Sequence, residues 1–301
     1  MTTSLVTTTS VELTKTRAPA LPFGPVEYDR QYQDSLNNIL RQYFNQLDNL
    51  IGQLSLSTGG SGFYVPYGAF SCIAQTTLSA GINNLVTTIP VVSTAGFPIA
   101  SVGAPQGISI GDELITYTGQ TSTSFTGCVR GALITPSNAA AHLIGAAVEG
   151  VQISNVANTS YALFLNTSDF ANDITLTGTP NTTKLTVAKA GIYNMQFSVQ
   201  VENRDNAPQD VFIWLKQNGV DIIASTGKVG IPARKGTNNP SHDIKGWNYF
   251  LSMNADDYVE IWWSTTSVAV SIPNYEATPL PTKPSTASVV ATMTFVSALP
   301  A

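Results

Sequence analysis

The second half of the chain is a series of short segments in which apolar and polar residues alternate, and this pattern constrains the fold more than any other feature. Clear cases are Lys184-Leu-Thr-Val187, Tyr193-Asn-Met-Gln-Phe-Ser-Val-Gln-Val201, Val211-Phe-Ile-Trp-Leu215 and Gly246-Trp-Asn-Tyr-Phe-Leu251. Tyr258-Val-Glu-Ile-Trp-Trp263, residues 268–272 and Ser288-Val-Val-Ala-Thr-Met-Thr-Phe295 continue it. A period of two sends successive side chains to opposite faces of a strand. Turn signals separate the segments: Ala190-Gly191, 203–208, Gln217-Asn-Gly219, Asn238-Asn-Pro240 and 254–257. About eight short strands at this spacing predict a jelly-roll β-sandwich over 151–301, with the aromatic residues in its core.

Composition agrees. Charged residues are 11% of the chain, against ~25% in average proteins. Ser, Thr and Asn fill the gap; Thr favours strands, and Ser and Asn favour turns. With 14 Lys and Arg against 19 Asp and Glu, the net charge is −5. No basic run occurs, so a nucleic-acid surface is not expected. No apolar run approaches the ~20 residues of a membrane-spanning helix. Met1-Thr-Thr-Ser-Leu-Val-Thr-Thr-Thr-Ser10 has neither the basic start nor the apolar stretch of a secretory signal, so none is expected. Cys72 and Cys128 fit no metal-binding spacing and are expected as unpaired thiols in or near strands.

The front of the chain differs. Residues 1–25 read as an extended anchoring arm, because Arg17-Ala-Pro-Ala-Leu-Pro-Phe-Gly-Pro25 disfavours both helix and central strand. Residues 26–56 carry the one convincing helix. Its apolar positions are Tyr32, Leu36, Ile39, Tyr43, Leu47, Leu50 and Leu54. Their steps of four and three sum to repeats of eleven, which predicts a nearly straight or slightly right-handed bundle. Self-association is the simplest way to bury this stripe, and packing on the chain's own β-domain is the alternative. Residues 57–70 read as a glycine-rich linker. Residues 71–150 read as a small β module, with strands near 71–78, 85–91, 113–118 and 124–129 and a helical turn at 139–147. The fold class expected is mainly β, with an N-terminal helix in a stalk.

Several segments are similar to known families. Ala190-Gly-Ile-Tyr-Asn-Met-Gln-Phe-Ser-Val199, Val211-Phe-Ile-Trp-Leu-Lys-Gln-Asn-Gly219, Asn254-Ala-Asp-Asp-Tyr-Val-Glu-Ile-Trp-Trp263 and Ser285-Thr-Ala-Ser-Val-Val-Ala-Thr-Met-Thr294 resemble, in order, strands of C1q/tumour-necrosis-factor-like domains. Pro25-Val-Glu-Tyr-Asp-Arg-Gln-Tyr32 through Leu40-Arg-Gln-Tyr-Phe-Asn-Gln-Leu-Asp48 resembles the N-terminal helix of cyanophage-type structural proteins and tail fibres. Ile110-Gly-Asp-Glu-Leu-Ile-Thr-Tyr-Thr-Gly119, Phe125-Thr-Gly-Cys-Val-Arg-Gly131 and Ala139-Ala-Ala-His142 resemble a small β module of phage fibre and baseplate proteins, with Val129 where Thr is usual. The resemblance implies a bacteriophage virion protein that forms a homotrimer through flat aromatic faces of its head.

Only His142 and His242 are available as catalytic bases, and no Gly-X-Ser-X-Gly or phosphate-binding loop occurs. The carboxylate groupings Asp112/Glu113, Asp256/Asp257 and Glu202/Asp205/Asp210 read as turns and strand starts, and no short repeat suggests a glycan-cleaving β-helix. Glu202, Asn203, Asp205, Asn206 and Asp210 offer oxygen ligands for calcium but lack the EF-hand spacing. We therefore expect no enzyme, no metal and no cofactor. Long polar loops at 203–209, 230–243 and 274–286 suit binding. Arg234, Lys235, His242 and Tyr275 are the receptor-binding candidates, for a host surface glycan held by stacking and hydrogen bonds; plain solvent-facing connections are the alternative. The expected function is a trimeric tail fibre in the virion. Its arm would contact a tail adaptor or capsid protein, and its head would bind the host, with no nucleic acid and no membrane insertion. The rival role is a purely structural capsid decoration, head fibre or tail adaptor.

Overall fold

The computed structural model describes residues 19–54, 65–132, 139–236 and 239–299. It divides the chain into two compact units, 1–65 and 66–301. The first unit holds α1 (Arg30–Leu54), which starts four residues later than the pattern suggests. Asp29 explains the start: its Oδ1 accepts the Gln31 amide at 2.8 Å and caps an otherwise unsatisfied donor. The Tyr32 hydroxyl donates to the Pro22 carbonyl at 3.1 Å, which pins the proline segment to the first turn. Tyr32, Leu36, Ile39, Tyr43 and Leu47 are half-buried, and Phe44 and Ile51 are exposed. Leu50 and Leu54 lie on the helix, but their side chains are outside the described residues. Residues 1–18 of the expected arm and 55–64 around the expected linker are also outside them.

The second unit is built of antiparallel strands. Along the chain they are β1 (Tyr67–Cys72), β2 (Gln75–Thr77), β3 (Ile89–Pro90), β4 (Gln106–Ile110), β5 (Glu113–Tyr117), β6 (Gly119–Thr121), β7 (Ser124–Thr126) and β8 (Ala147–Ile153). Then come β9 (Tyr161–Ala162), β10 (Thr167–Asn172), β11 (Ile174–Thr177), β12 (Lys184–Val187), β13 (Gly191–Asn203), β14 (Gln209–Gln217), β15 (Val220–Asp221) and β16 (Gly227–Ile231). The last are β17 (Ser241–Met253), β18 (Tyr258–Thr265), β19 (Val270–Pro273), β20 (Thr278–Pro279), β21 (Thr282–Lys283) and β22 (Val289–Ser297).

One sheet runs β10-β1-β22-β13-β19-β8-β4-β5, with β17 on β13 and β2 on β8. A second runs β11-β12-β18-β14-β15, with β16 on β14 and β9 on β18. The pair β20-β21 and the trio β3-β7-β6 complete the set. Alternation decides what is buried. Tyr193, Met195, Phe197, Val199 and Val201 of β13 share one core with Val211, Ile213 and Leu215 of β14 and with Val259, Ile261 and Trp263 of β18. Two hairpins show the turn chemistry. Asn218 (φ 52°) and Gly219 (φ 81°) link β14 to β15, both left-handed as a type I′ turn requires. Gly111 (φ 58°) opens the two-residue turn between β4 and β5.

Several expectations change. Of the strand expected near 85–91 only Ile89–Pro90 forms, because the Asn83 side chain caps a turn through the Leu85 and Val86 amides. Residues 67–70 were expected in a linker, but they belong to β1, which pairs with β22 and gives Phe70 and Cys72 to the main core. The expected boundary between residues 150 and 151 falls inside β8, which pairs with β4 on one side and β19 on the other. The stretch 71–150 keeps a core of its own, including Leu78, Ile89, Ile108, Tyr117 and Phe125, but shares a sheet with the rest. The described residues of 139–147 form no helical turn. His142 pairs with Ile82 as an isolated antiparallel bridge, and those two backbone hydrogen bonds override the weak helical preference of an alanine run. Cys72 and Cys128 are free and buried, and burial pushes each thiol up to about 11. No helix among the described residues is long and apolar enough to cross a membrane.

Candidate functional site

A polar cleft of about 380 Å³ opens where residues of the 71–150 stretch meet the sandwich. Its walls come from the β4–β5 turn (Asp112), β8 (Glu149), the end of β13 (Glu202), the following loop (Arg204), the start of β17 (His242) and the segment after β19 (Tyr275, Glu276, Lys283). Glu202 and His242 are cross-strand partners, so register alone sets them side by side. Glu202 is buried. Its Oε1 accepts from Arg204 Nε, and its Oε2 accepts from the Tyr275 hydroxyl at 3.1 Å. The same hydroxyl lies 2.8 Å from His242 Nδ1, and the two rings meet edge to face at 5.7 Å. Arg204 Nη1 donates to the Asp112 carbonyl at 2.6 Å and ties the turn to the sandwich. Glu149 Oε1 accepts the Glu276 amide, and Lys283 Nζ donates to the Glu276 carbonyl. Burial, reinforced by the charges of Glu276 and Glu202, pushes the Glu149 carboxyl up to about 7.

Of the four residues proposed from sequence, His242 and Tyr275 meet in this cleft. Arg234 and Lys235 do not. Arg234 lines a separate hollow with Asp205, Asn206 and Ser267, and both residues anchor their loop through backbone bonds to Asp205 and Asn239. Glu202 was considered as a carboxylate, but Glu149, Arg204 and Lys283 carried no sequence signal. They are isolated polar residues far apart in the chain, joined only by the fold. The other oxygen-rich positions serve turns. Asp205 accepts from the Ala207 amide, Gln209 and Ser267, and Asp210 pairs with Lys228 at 2.9 Å. Asp257 accepts from Asn218 and the Asn254 amide; burial opposes its charge, but these bonds outweigh it and hold the carboxyl low. Among the described residues, no three His, Cys, Asp or Glu side chains cluster so as to hold a metal.

Residues of the motifs between 110 and 142 form a different arrangement. Glu113, 2% exposed, accepts from Arg130 Nε at 2.7 Å, Arg130 Nη2 at 2.8 Å and His142 Nε2 at 2.7 Å. The amides of Gly131 and Ala140 also donate to it. Arg130 reaches the carbonyls of Asn83 and Ala140 as well. Burial raises the Glu113 pKa, but these hydrogen bonds and the Arg130 charge outweigh it and hold the carboxyl below its usual range. Three loops are thereby clamped by one satisfied buried carboxylate. The arrangement braces these loops, and neither His142 nor Glu113 lines the polar cleft described above.

The outer face of the larger sheet is the second surface of interest. Between Ile192 and Gln200 on β13, Ile244 and Ser252 on β17, Val290 and Thr294 on β22, and Tyr67 and Ser71 on β1, every outward residue is uncharged. Ile244 is 62% exposed and Phe250 57%, and the exposed rings of Tyr67 and Phe170 lie 6.1 Å apart. Asn194, directly opposite Phe250, has a buried Oδ1 with no hydrogen-bond partner. The Glu202–His242 pair ends this same face, so the cleft adjoins it. No protein-family model matches the chain, and no curated protein matches it.

Proposed function

We propose that the chain is a non-enzymatic bacteriophage virion protein: a homotrimeric tail fibre anchored by its N-terminal arm and helix, with a head that binds a host surface receptor. The observation that carries this proposal is the uncharged outer sheet face with its exposed Ile244, Phe250, Tyr67 and Phe170. A charge-free face that mixes amides and hydroxyls with exposed large apolar side chains favours burial against copies of itself. The strand order supports a C1q/TNF-like jelly roll as the finer fold. Its sheets would be β10-β1-β22-β13-β17 and β11-β12-β18-β14-β16. The 71–150 stretch is then an insertion between the first two strands of the jelly roll. The virion assignment rests on the resemblance of the front half to phage fibre sequences. The half-buried stripe on α1 is consistent with a stalk that closes on sister helices.

Threefold assembly would turn a weak single contact into useful attachment, because linked sites bind at high effective concentration. Adsorption tests the receptor role. Antibody fragments raised against residues 66–301 are expected to block particle adsorption to host cells. Full adsorption with the head saturated would overturn the receptor role and leave a purely structural role, as a capsid decoration or adaptor.

A further inference from the structure

We infer that the cleft between the β4–β5 turn and the sandwich binds an amino sugar, with its ammonium group received by the carboxylates of Glu149 and Glu276 and a hydroxyl by Nε2 of His242. This rests on the receptor-binding role proposed above and names the chemistry of its ligand. The argument is a count of donors and acceptors. Ionised Glu202 can only accept, so the single hydroxyl hydrogen of Tyr275 goes to it. His242 Nδ1, 2.8 Å from that hydroxyl oxygen, must then donate to it. In the neutral ring Nε2 is left as an acceptor, on a side chain 47% exposed.

Of the two cations of the cleft, Arg204 is committed to a carboxylate and Lys283 is bonded to a carbonyl. Arg204 donates to Glu202 and to the Asp112 carbonyl, and Lys283 gives one of its three N–H donors to the Glu276 carbonyl. Four carboxylates line the cleft against these two cations. What the cleft presents is therefore mostly acceptors with a surplus of negative charge. A fitting ligand brings hydrogen-bond donors and a positive charge. Anionic sugars and phosphates meet the wrong sign, and the carboxylates do not converge on a metal position. Hydroxyls beside an ammonium group meet both demands, and the volume falls in the range of small-ligand sites.

The test is calorimetric titration of the full-length chain, near neutral pH, with a glucosamine tetrasaccharide and with its fully N-acetylated counterpart. Saturable binding of the first, at least about tenfold tighter than the second, is expected. Glu149→Gln and Glu276→Gln should each weaken glucosamine binding by about tenfold, while Lys228→Ala, outside the cleft, leaves it unchanged. Thermal melts of each variant separate lost binding from lost fold; Glu149→Gln keeps an Oε1 to accept the Glu276 amide. Equal binding of the two tetrasaccharides overturns the ammonium assignment. Competition by spermidine as effective as that by glucosamine overturns the sugar assignment. No binding of either sugar, with antibody-blocked adsorption intact, overturns the ligand assignment and leaves the receptor role standing.

Discussion

Glu113 and Glu149 are both carboxylates in the 71–150 stretch, and their surroundings push them in opposite directions. Glu113 has donors on every side, so its charge is more stable inside the protein than in water. Removing one partner from such a buried pair typically costs about 3–5 kcal/mol, because the other charge is left stranded. Glu149 is desolvated by burial and faces Glu276 and Glu202; its one amide donor and the charge of Lys283 do not offset these, so its charge is disfavoured. A carboxyl raised from 4.5 to about 7 binds its proton more tightly when folded. It costs nothing below the unfolded value, and its penalty grows as pH rises toward 7 and then levels off. Glu149→Gln should therefore melt higher than the parent at alkaline pH and match it at acid pH. A melting difference that does not change with pH would contradict this.

Glu113 reads from the sequence as part of a turn-to-strand signature, and it stands at the start of β5, directly after the β4–β5 turn. The cleft was only half visible. Tyr275 and His242 stood out as an aromatic and an imidazole in long loops. Arg204 and Glu149 looked like any surface charge until register and loop closure set them beside Glu202.

At the scale of elements, strand positions followed from alternation. Gly191–Asn203, Gln209–Gln217 and Tyr258–Thr265 extend the expected segments by a few residues, because pairing with neighbours recruits ends that carry no pattern, and Val289–Ser297 is the expected last segment shifted toward the C-terminus. β1 was missed for the opposite reason. Tyr67-Gly-Ala-Phe-Ser-Cys72 has small residues at Gly68 and Ala69 and follows a glycine-rich stretch, so it reads as linker. Its place is fixed by pairing with β22, more than 200 positions away in the chain, which no local pattern reports. The test is Phe70→Ala. Phe70 is fully buried in the main core, and emptying its site should cost about 3–5 kcal/mol and destabilise the sandwich as a whole. A change below about 1 kcal/mol in chemical denaturation would show that β1 is dispensable.

At the scale of the molecule, each unit carries one surface that stands out: the half-buried stripe on α1 in the first, and the uncharged outer face of the larger sheet in the second. Sequence could expose the first, because a helical period is local. It gave only a hint of the second, since the face is assembled from β1, β13, β17 and β22 by long-range pairing. The uncharged composition of that face, its exposed large side chains and the unpartnered Asn194 Oδ1 all favour burial against another surface. The most direct test is solution mass by light scattering, on the full chain, on a chain beginning at Pro66, and on the full chain carrying Ile244→Arg with Phe250→Arg. The start at Pro66 keeps β1, which a start at the old boundary after residue 150 would remove. We predict about three times 31.9 kDa for the full chain, a threefold mass for the shortened chain, and a lower mass for the charged variant with its melting transition retained. A monomeric mass for the full chain and the shortened chain would contradict the account.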